Sequence, residues 1–367
     1  MILKINKFVA NFTLLIILSS CSFSSKDLKD NTLGFRDSNN DIDLNTIAEY
    51  QSFYINDLNI IEKKIISGEL NQQDLRTAKL LKTNYSKILD KKNFIIKLNP
   101  NQKYSKNLIE LIYEINLPIK ILWSENKTIF LPEDLFSNKL QGFCSSLYED
   151  SISSIKKNID NRSDSTLIIY SVEYLPYLES LKSPDSEIIS IESNSTNFQK
   201  FAAETLGINL SELRYNKISN LNPNQNLKFS PRPRSDINNI VLLVEPKDYK
   251  SMIPALRYHG SNNFQYFNFV SSLEQINSPL QLLDYEDSFV LLSYFLSKKI
   301  GNDKFFSLEK SLERGILKDW LLIQILKQSG AKSTIINGVT GTIFFNPDSC
   351  IKRDIPLQKI NSDLFST

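Results

Sequence analysis

Ser153-Ser154-Ile155-Lys156, Ser307-Leu308-Glu309-Lys310 and Ser329-Gly330-Ala331-Lys332 each place a lysine three residues after a serine. On a helix that spacing sets an amine one turn from a hydroxyl, the arrangement of a serine acyltransferase of the penicillin-binding type. The chain is crowded with serine and lysine, and it carries neither the Ser-Asp-Asn nor the Lys-Thr-Gly element that would complete the constellation. The one histidine, His259, lacks co-ligands of its kind and stands before Gly260, where a cation favours a helix C-terminus. With only ten glycines, phosphate-cradling loops are poorly supplied too. Gly338 and Gly341 bracket Val339-Thr340 before an apolar strand, which reads as a tight turn. No catalytic residue, metal or cofactor is expected.

Cys21 carries the clearest chemistry. Lys4 and Lys7 precede an apolar stretch, Phe8 to Leu18, broken by Asn11 and Thr13, and Leu18-Ser19-Ser20-Cys21 follows. Eleven helical residues are about half of what a bilayer core demands, so this is a secretory leader and not a span. Its last four residues resemble a bacterial lipobox, which makes Cys21 the acylated first residue of the mature protein; Ser22 in the second position implies sorting to the outer membrane. Removing Lys4 and Lys7 from 43 basic residues leaves as many as the 41 acidic ones, so no nucleic acid or other polyanion is an expected partner. Cys144 and Cys350 then face an oxidising compartment, free either to pair or to stay as buried small hydrophobes.

The elements that must position these residues follow from periodicity. Residues 1–20 are the leader and 21–45 a polar tether, and 46–90 carry apolar residues at helical spacing around Ser67-Gly68, as a helical hairpin whose second arm Asn71 or Asp74 could cap. Beyond Asp90, short apolar runs alternate with amphipathic stretches, the pattern of an α/β layer fold with parallel strands. Strands are expected at Phe94 to Leu98, Ile119 to Trp123, Thr166 to Tyr170, Glu187 to Ile191, Ile240 to Val244, Tyr266 to Phe269 and Ser288 to Leu292. Helices are expected at Ser105 to Ile115, Glu133 to Lys157, Glu173 to Leu181, Asn197 to Leu206, Lys247 to Tyr258 and Gly315 to Gln328. The proline-bearing stretch Asn220 to Pro233 reads as the crossover between two lobes, residues 91–225 and 226–367, the second including a C-terminal return.

Leu227-Lys228-Phe229-Ser230-Pro231-Arg232-Pro233-Arg234-Ser235-Asp236-Ile237, running into Ile240-Val241-Leu242-Leu243-Val244, resembles the signature of the LppC family, the LpoA-type penicillin-binding-protein activator lipoproteins. Phe198 to Gly207, Ile253-Pro254-Ala255-Leu256-Arg257-Tyr258, Phe264 to Val270, Asn337 to Ile343 and Arg353-Asp354-Ile355-Pro356 are similar to the same family in the same order. The resemblance spans about Thr166 to Ile360, weakens between Phe94 and Lys157, and stops before Asp90. It implies a two-lobed α/β fold like type I periplasmic binding proteins. The implied role is a non-catalytic outer-membrane lipoprotein, facing the periplasm, that binds and activates a bifunctional penicillin-binding protein in peptidoglycan synthesis. Larger members carry a long helical-repeat domain where this chain offers the short hairpin. The density of family-like residues around Arg232 to Tyr258 points to Arg232, Arg234, Asp236, Arg257 and Tyr258 as partner-binding residues. Arg232 and Arg234 flank Pro233 as a basic pair for an acidic surface or carboxylate, and Asp236 could equally pair with one of them or cap a turn. The alternative on the same fold is a receptor for a small solute or muropeptide, clasped between the lobes.

Overall fold

The computed structural model describes residues 62–361 apart from 69, 116, 125–130, 161–164, 183–186, 222–227, 261–262, 294, 298–299 and 301–306. The expected leader, Cys21, the tether and most of the hairpin's first arm lie outside the described residues.

The described chain begins with a helical turn over 62–67 and then α1 (Gln72–Leu89). Asn71 caps α1 by accepting from the Asp74 N–H at 2.8 Å, one of the two expected caps. Then come β1 (Phe94–Leu98), α2 (Ser105–Ile115), β2 (Ile119–Trp123), α3 (Leu147–Asp160), β3 (Thr166–Tyr170), α4 (Leu175–Leu181) and β4 (Ile188–Glu192). After them run α5 (Phe198–Thr205), α6 (Ile208–Leu221), β5 (Asn239–Leu243), α7 (Tyr249–Gly260), β6 (Gln265–Asn268) and β7 (Ser288–Leu291). The chain closes with α8 (Leu308–Ser329), β8 (Thr334–Asn337), β9 (Thr342–Phe345), β10 (Lys352–Asp354) and β11 (Leu357–Lys359).

The fold is mixed α/β, as the periodicity implies, and each of the seven expected strands forms within a residue of its expected ends. The largest sheet runs β11-β7-β6-β5-β3-β4, parallel except for β11, which returns antiparallel to β7. All five residues of β5 are buried, because helices cover both faces of a parallel sheet and leave no wet side. A two-stranded parallel sheet (β1-β2) and a three-stranded antiparallel sheet (β10-β9-β8) complete the fold. Helix α8 packs on α1, α2 and β1, and α1 packs on β8. The chain therefore leaves the β1-β2 region to build the large sheet, returns through α8 to β8–β10, and crosses once more to place β11.

Three expectations need correction. The division at 225/226 cuts through the large sheet, since β3 and β5 are hydrogen-bonded neighbours from Thr166↔Asn239 to Tyr170↔Leu243. The stretch read as an inter-lobe crossover joins α6 to β5, on the way from β4 to the next strand of the same sheet; prolines mark a surface loop and do not say what it connects. The helix expected at Glu133 to Lys157 begins only at Leu147. Asp134 instead accepts from the N–H groups of Phe136 (2.9 Å) and Ser137 (3.3 Å), and Gly142 turns the chain at φ 100°. Ser146 and Glu149 then form a reciprocal capping box, Glu149 N–H to Ser146 Oγ at 3.2 Å and Ser146 N–H to Glu149 Oε2 at 2.8 Å. Helix α6 has no counterpart among the expected helices.

Candidate functional site

The five expected partner-binding residues lie at the N-terminal end of central strands of the large sheet. Arg232, Arg234 and Asp236 lead into the N-terminal end of β5, and Arg257 and Tyr258 occupy the last turn of α7, which leads into the N-terminal end of β6. Arg234 and Asp236 pair with each other, Nε to Oδ1 at 2.7 Å with a second contact to Oδ2. That bond holds the Asp236 carboxyl below the usual range and the guanidinium above its own. The Arg234 N–H also donates to Leu206 O at 2.8 Å, so this segment is tied to the end of α5. Arg257 reaches Asp287 at 3.3 Å and Glu286 at 3.6 Å, and Lys359 of β11 meets the same Asp287 at 3.2 Å. Arg232 and Tyr258, the latter 76% exposed, are left presented to solvent. Among the described residues no ion pair joins the Arg234–Asp236 group to Arg257.

The opposite, C-terminal end of the strands, where ligands of open α/β sheets are held, has different contents. Residues following β1, β3 and β6 converge there with the start of α3 and the first turns of α8. Tyr148 lies 4.7 Å from Phe269, 5.5 Å from Tyr177 and 6.0 Å from Tyr174, and Tyr174 lies 5.4 Å from Phe269, all between ring centroids. These are contact distances for aromatic rings, so nothing fits between them. Glu274 closes the cluster by accepting a hydrogen bond from the Tyr148 hydroxyl. Tyr104, from the loop after β1, donates to Glu313 of α8 at 3.2 Å, and Lys103 donates to the Tyr104 oxygen at 2.8 Å.

Burial pushes the Glu274 carboxyl up to about 7, against the pull of the Tyr148 hydrogen bond and with the negative charges of Asp134, Glu309 and Glu313 adding to the rise. Its folded pKa therefore stands above the ordinary 4.5, and the folded state holds the proton more tightly than the unfolded one. The resulting stability is fully present below about pH 4.5 and is lost as the pH rises through about 7. Glu274→Gln is expected to flatten that decline and to leave the protein more stable than the parent at pH 8, by about 3 kcal/mol at most. Urea unfolding at pH 5 and pH 8 checks this, and an unchanged pH difference contradicts it.

A second polar cluster lies in the core and ties down the C-terminal return. Arg353 of β10 bonds Asp150 of α3 through Nε and a terminal nitrogen, both at 2.8 Å, and donates to Thr340 Oγ1 at 3.0 Å. Thr340 donates through its hydroxyl (2.5 Å) and N–H (2.8 Å) to Asp319 of α8, and the Val339 N–H reaches the same carboxylate at 2.7 Å. The Arg353 guanidinium lies over the Phe143 ring at 4.9 Å. Burial pushes the carboxyls of Asp150 and Asp319 up, and these partners pull them back. The expected turn at Gly338 to Gly341 forms, with Gly341 at φ 154°; a Cβ on Gly338 would come within 2.8 Å of the Asp319 oxygens. The family-like segments Asn337 to Ile343 and Arg353 to Pro356 thus form a structural clamp. Cys144 and Cys350 form a disulfide beside it, with Cα atoms 4.9 Å apart.

The Ser-x-x-Lys motifs beginning at Ser153, Ser307 and Ser329 have their groups engaged elsewhere. Ser153 donates to Glu149 O at 2.9 Å while Lys156 Nζ reaches the carbonyls of Ser180 and Lys182 at 3.0 and 3.2 Å. Ser307 is the N-cap of α8 and takes the Lys310 N–H, and Ser329 donates to Leu326 O at 2.9 Å. Among the described residues no group of His, Cys, Asp and Glu is placed to hold a metal ion, and no helix is long and apolar enough to cross a membrane. Sequence reasoning missed Tyr148, Tyr174, Tyr177, Phe269 and Glu274, which share no periodic pattern. The Ser146-Leu147-Tyr148-Glu149 capping box was the available signal for Tyr148, because it fixes where α3 starts.

No family model matches the chain, and neither does any curated protein. Among solved structures, it is similar to a protein described as a branched-chain amino acid ABC transporter from Rhodospirillum rubrum, at 11% identity and a TM-score of 0.44, over 74% of this chain and 97% of that one. It is also similar to full-length LpoA from Haemophilus influenzae, at 11% identity and a TM-score of 0.36, over 76% of this chain and about half (48%) of that one. A third is an ABC transporter substrate-binding protein from Desulfitobacterium hafniense in complex with Leu, at 8% identity and a TM-score of 0.37, over 74% of this chain and 98% of that one. At these scores none of the three carries an argument about what this chain binds.

Proposed function

We propose that this chain is a catalytically silent envelope protein that binds a bifunctional penicillin-binding protein and raises its rate of peptidoglycan synthesis. In this reading the chain has the two-lobed plan of type I periplasmic binding proteins, and an acyl chain on Cys21 holds it at the outer membrane, facing the periplasm. The family-like segment Leu227 to Ile237 and its followers support the reading, and so does the repeated crossing of the chain between sheets. The observation that favours an activator over a solute receptor is the closed strand-end cluster, where Tyr148, Tyr174, Tyr177 and Phe269 touch one another and Glu274 is bonded to Tyr148. A receptor needs that crevice open, whereas an activator needs only an outer surface. The strand-start end of the sheet, carrying Arg232, Arg234, Asp236, Arg257 and Tyr258, is the proposed contact surface.

The test uses the mature chain with the purified bifunctional penicillin-binding proteins of its own organism, reading binding first and then glycan polymerisation and cross-linking. Activation is the expected result. A folded chain that binds none of them, but takes up a free amino acid or muropeptide, contradicts the reading. Uptake of labelled fatty acid by a Cys21→Ser chain contradicts the anchor.

A further inference from the structure

Helix α6 turns most of its apolar side chains to solvent. It rests on the protein through Ile208, Ser211, Tyr215 and Ser219, the residues of its least exposed stripe, and only Ile208 is buried. On the opposite side Leu210 is 57% exposed, Leu213 57% and Leu221 79%, and Ile218, at the flank of that side next to Ser211, is 53% exposed. A helix that only had to cover the body of the protein would turn those leucine and isoleucine side chains inward and leave its serines in water. Their outward placement over one face is the mark of a binding surface.

The charges on that face say what would cover it. At about 100° per residue, Lys217 falls between Leu213 and Leu210, and Arg214 falls between Leu221 and Ile218. Both cations are exposed, and among the described residues neither has an ion-pair partner. The only acid on the helix, Glu212, points away from this face. Phe229, stacked on Tyr215 with centroids 4.3 Å apart, packs on the inner stripe and leaves the outward face to the helix alone. A second copy of the same face would bring these cations against themselves. A lipid layer would have to take two charges from the middle of the apolar arc, whereas membrane-surface helices keep them on the polar side. A protein groove with carboxylates set between apolar pockets meets both requirements.

We propose that α6 is the docking helix for the synthase, seating Leu210, Leu213, Ile218 and Leu221 in an apolar groove with acidic side chains opposite Arg214 and Lys217. This rests on the activator reading and adds to it the element that makes the contact. The test measures binding of the mature chain to the purified bifunctional penicillin-binding proteins and, separately, to vesicles containing anionic phospholipid. Leu213→Glu/Leu221→Glu is expected to weaken synthase binding by about tenfold or more, as loss of apolar anchors does. Arg214→Glu/Lys217→Glu is expected to weaken it and to reduce its salt dependence. Tyr113→Glu, an exposed site on α2, is the control and is expected to bind as the parent does. Circular dichroism and melting confirm that the variants fold, which the exposure of all four positions favours. If the parent binds and both α6 variants bind equally well, this inference fails and the activator reading stands. If the parent binds no synthase, both fail. Vesicle binding that the α6 variants lose, with synthase binding intact, makes α6 a membrane face and also overturns the proposal.

Discussion

Arg353→Ala is expected to destabilise the fold by about 3–5 kcal/mol, the usual cost of stripping one partner from a buried ion pair. The Arg353 side chain is 2% exposed and that of Asp150 6%, so water cannot replace the lost guanidinium. The substitution leaves the Asp150 carboxylate facing Ser145 alone and takes from Thr340 the charged donor to its oxygen, although Thr340 keeps its bonds to Asp319. Adding Asp150→Asn is expected to recover part of the loss, because the stranded charge is then gone. Denaturant midpoints for the single and double variants check this. A single variant within about 1 kcal/mol of the parent would mean that the clamp does not hold the C-terminal return as described, since that is the range of exposed pairs.

The second large effect is expected at the Cys144–Cys350 disulfide, which spans 206 residues. Cross-links over so long a separation restrict the unfolded chain most, and the chain-entropy relation gives about 5 kcal/mol for this loop. Removing a native disulfide costs about 2–5 kcal/mol in practice, so Cys144→Ser/Cys350→Ser is expected to fall in that range. The bond acts with two neighbours, the Phe143↔Ile351 bridge and the Arg353–Asp150 pair, all fastening residues 350–355 to residues 143–150. Because the three share one segment, the double cysteine variant and Arg353→Ala are expected to be non-additive. Unfolding with and without reductant tests the bond directly. Equal stability in both conditions would contradict it.

The parallel strands were legible because buried β-strands read as short apolar runs, and β3, β5 and β7 have that composition. The helices were legible where one face is apolar, as in α2 and α7. Helix α6 was not, since its apolar residues face outward and its inner stripe contains two serines, so no inward-facing apolar period exists to read. The start of α3 was hidden by the apolar residues of the loop before it, Leu135, Phe136, Leu140 and Phe143, which are buried without being helical. The sheet order was beyond reach for a different reason. Which strands pair depends on contacts between residues far apart, such as Thr166 with Asn239, and no local pattern encodes them. Of the residues expected to bind a partner, the Arg234–Asp236 pairing was foreseeable from a spacing of two, while the engagement of Arg257 with Asp287 depended on where β7 begins. The aromatic cluster around Glu274 gathers residues from three separate segments and has no sequence signature.

In the proposed reading this chain works by contact with a peptidoglycan synthase and not by holding a solute. The most direct measurement is the glycan-polymerisation rate of a purified bifunctional penicillin-binding protein from the same organism, with and without the mature chain at saturating concentration. A higher rate is expected with the parent chain, and at sub-saturating concentration a smaller increase with Leu213→Glu/Leu221→Glu. A folded parent chain that leaves the rate of every such synthase unchanged contradicts it.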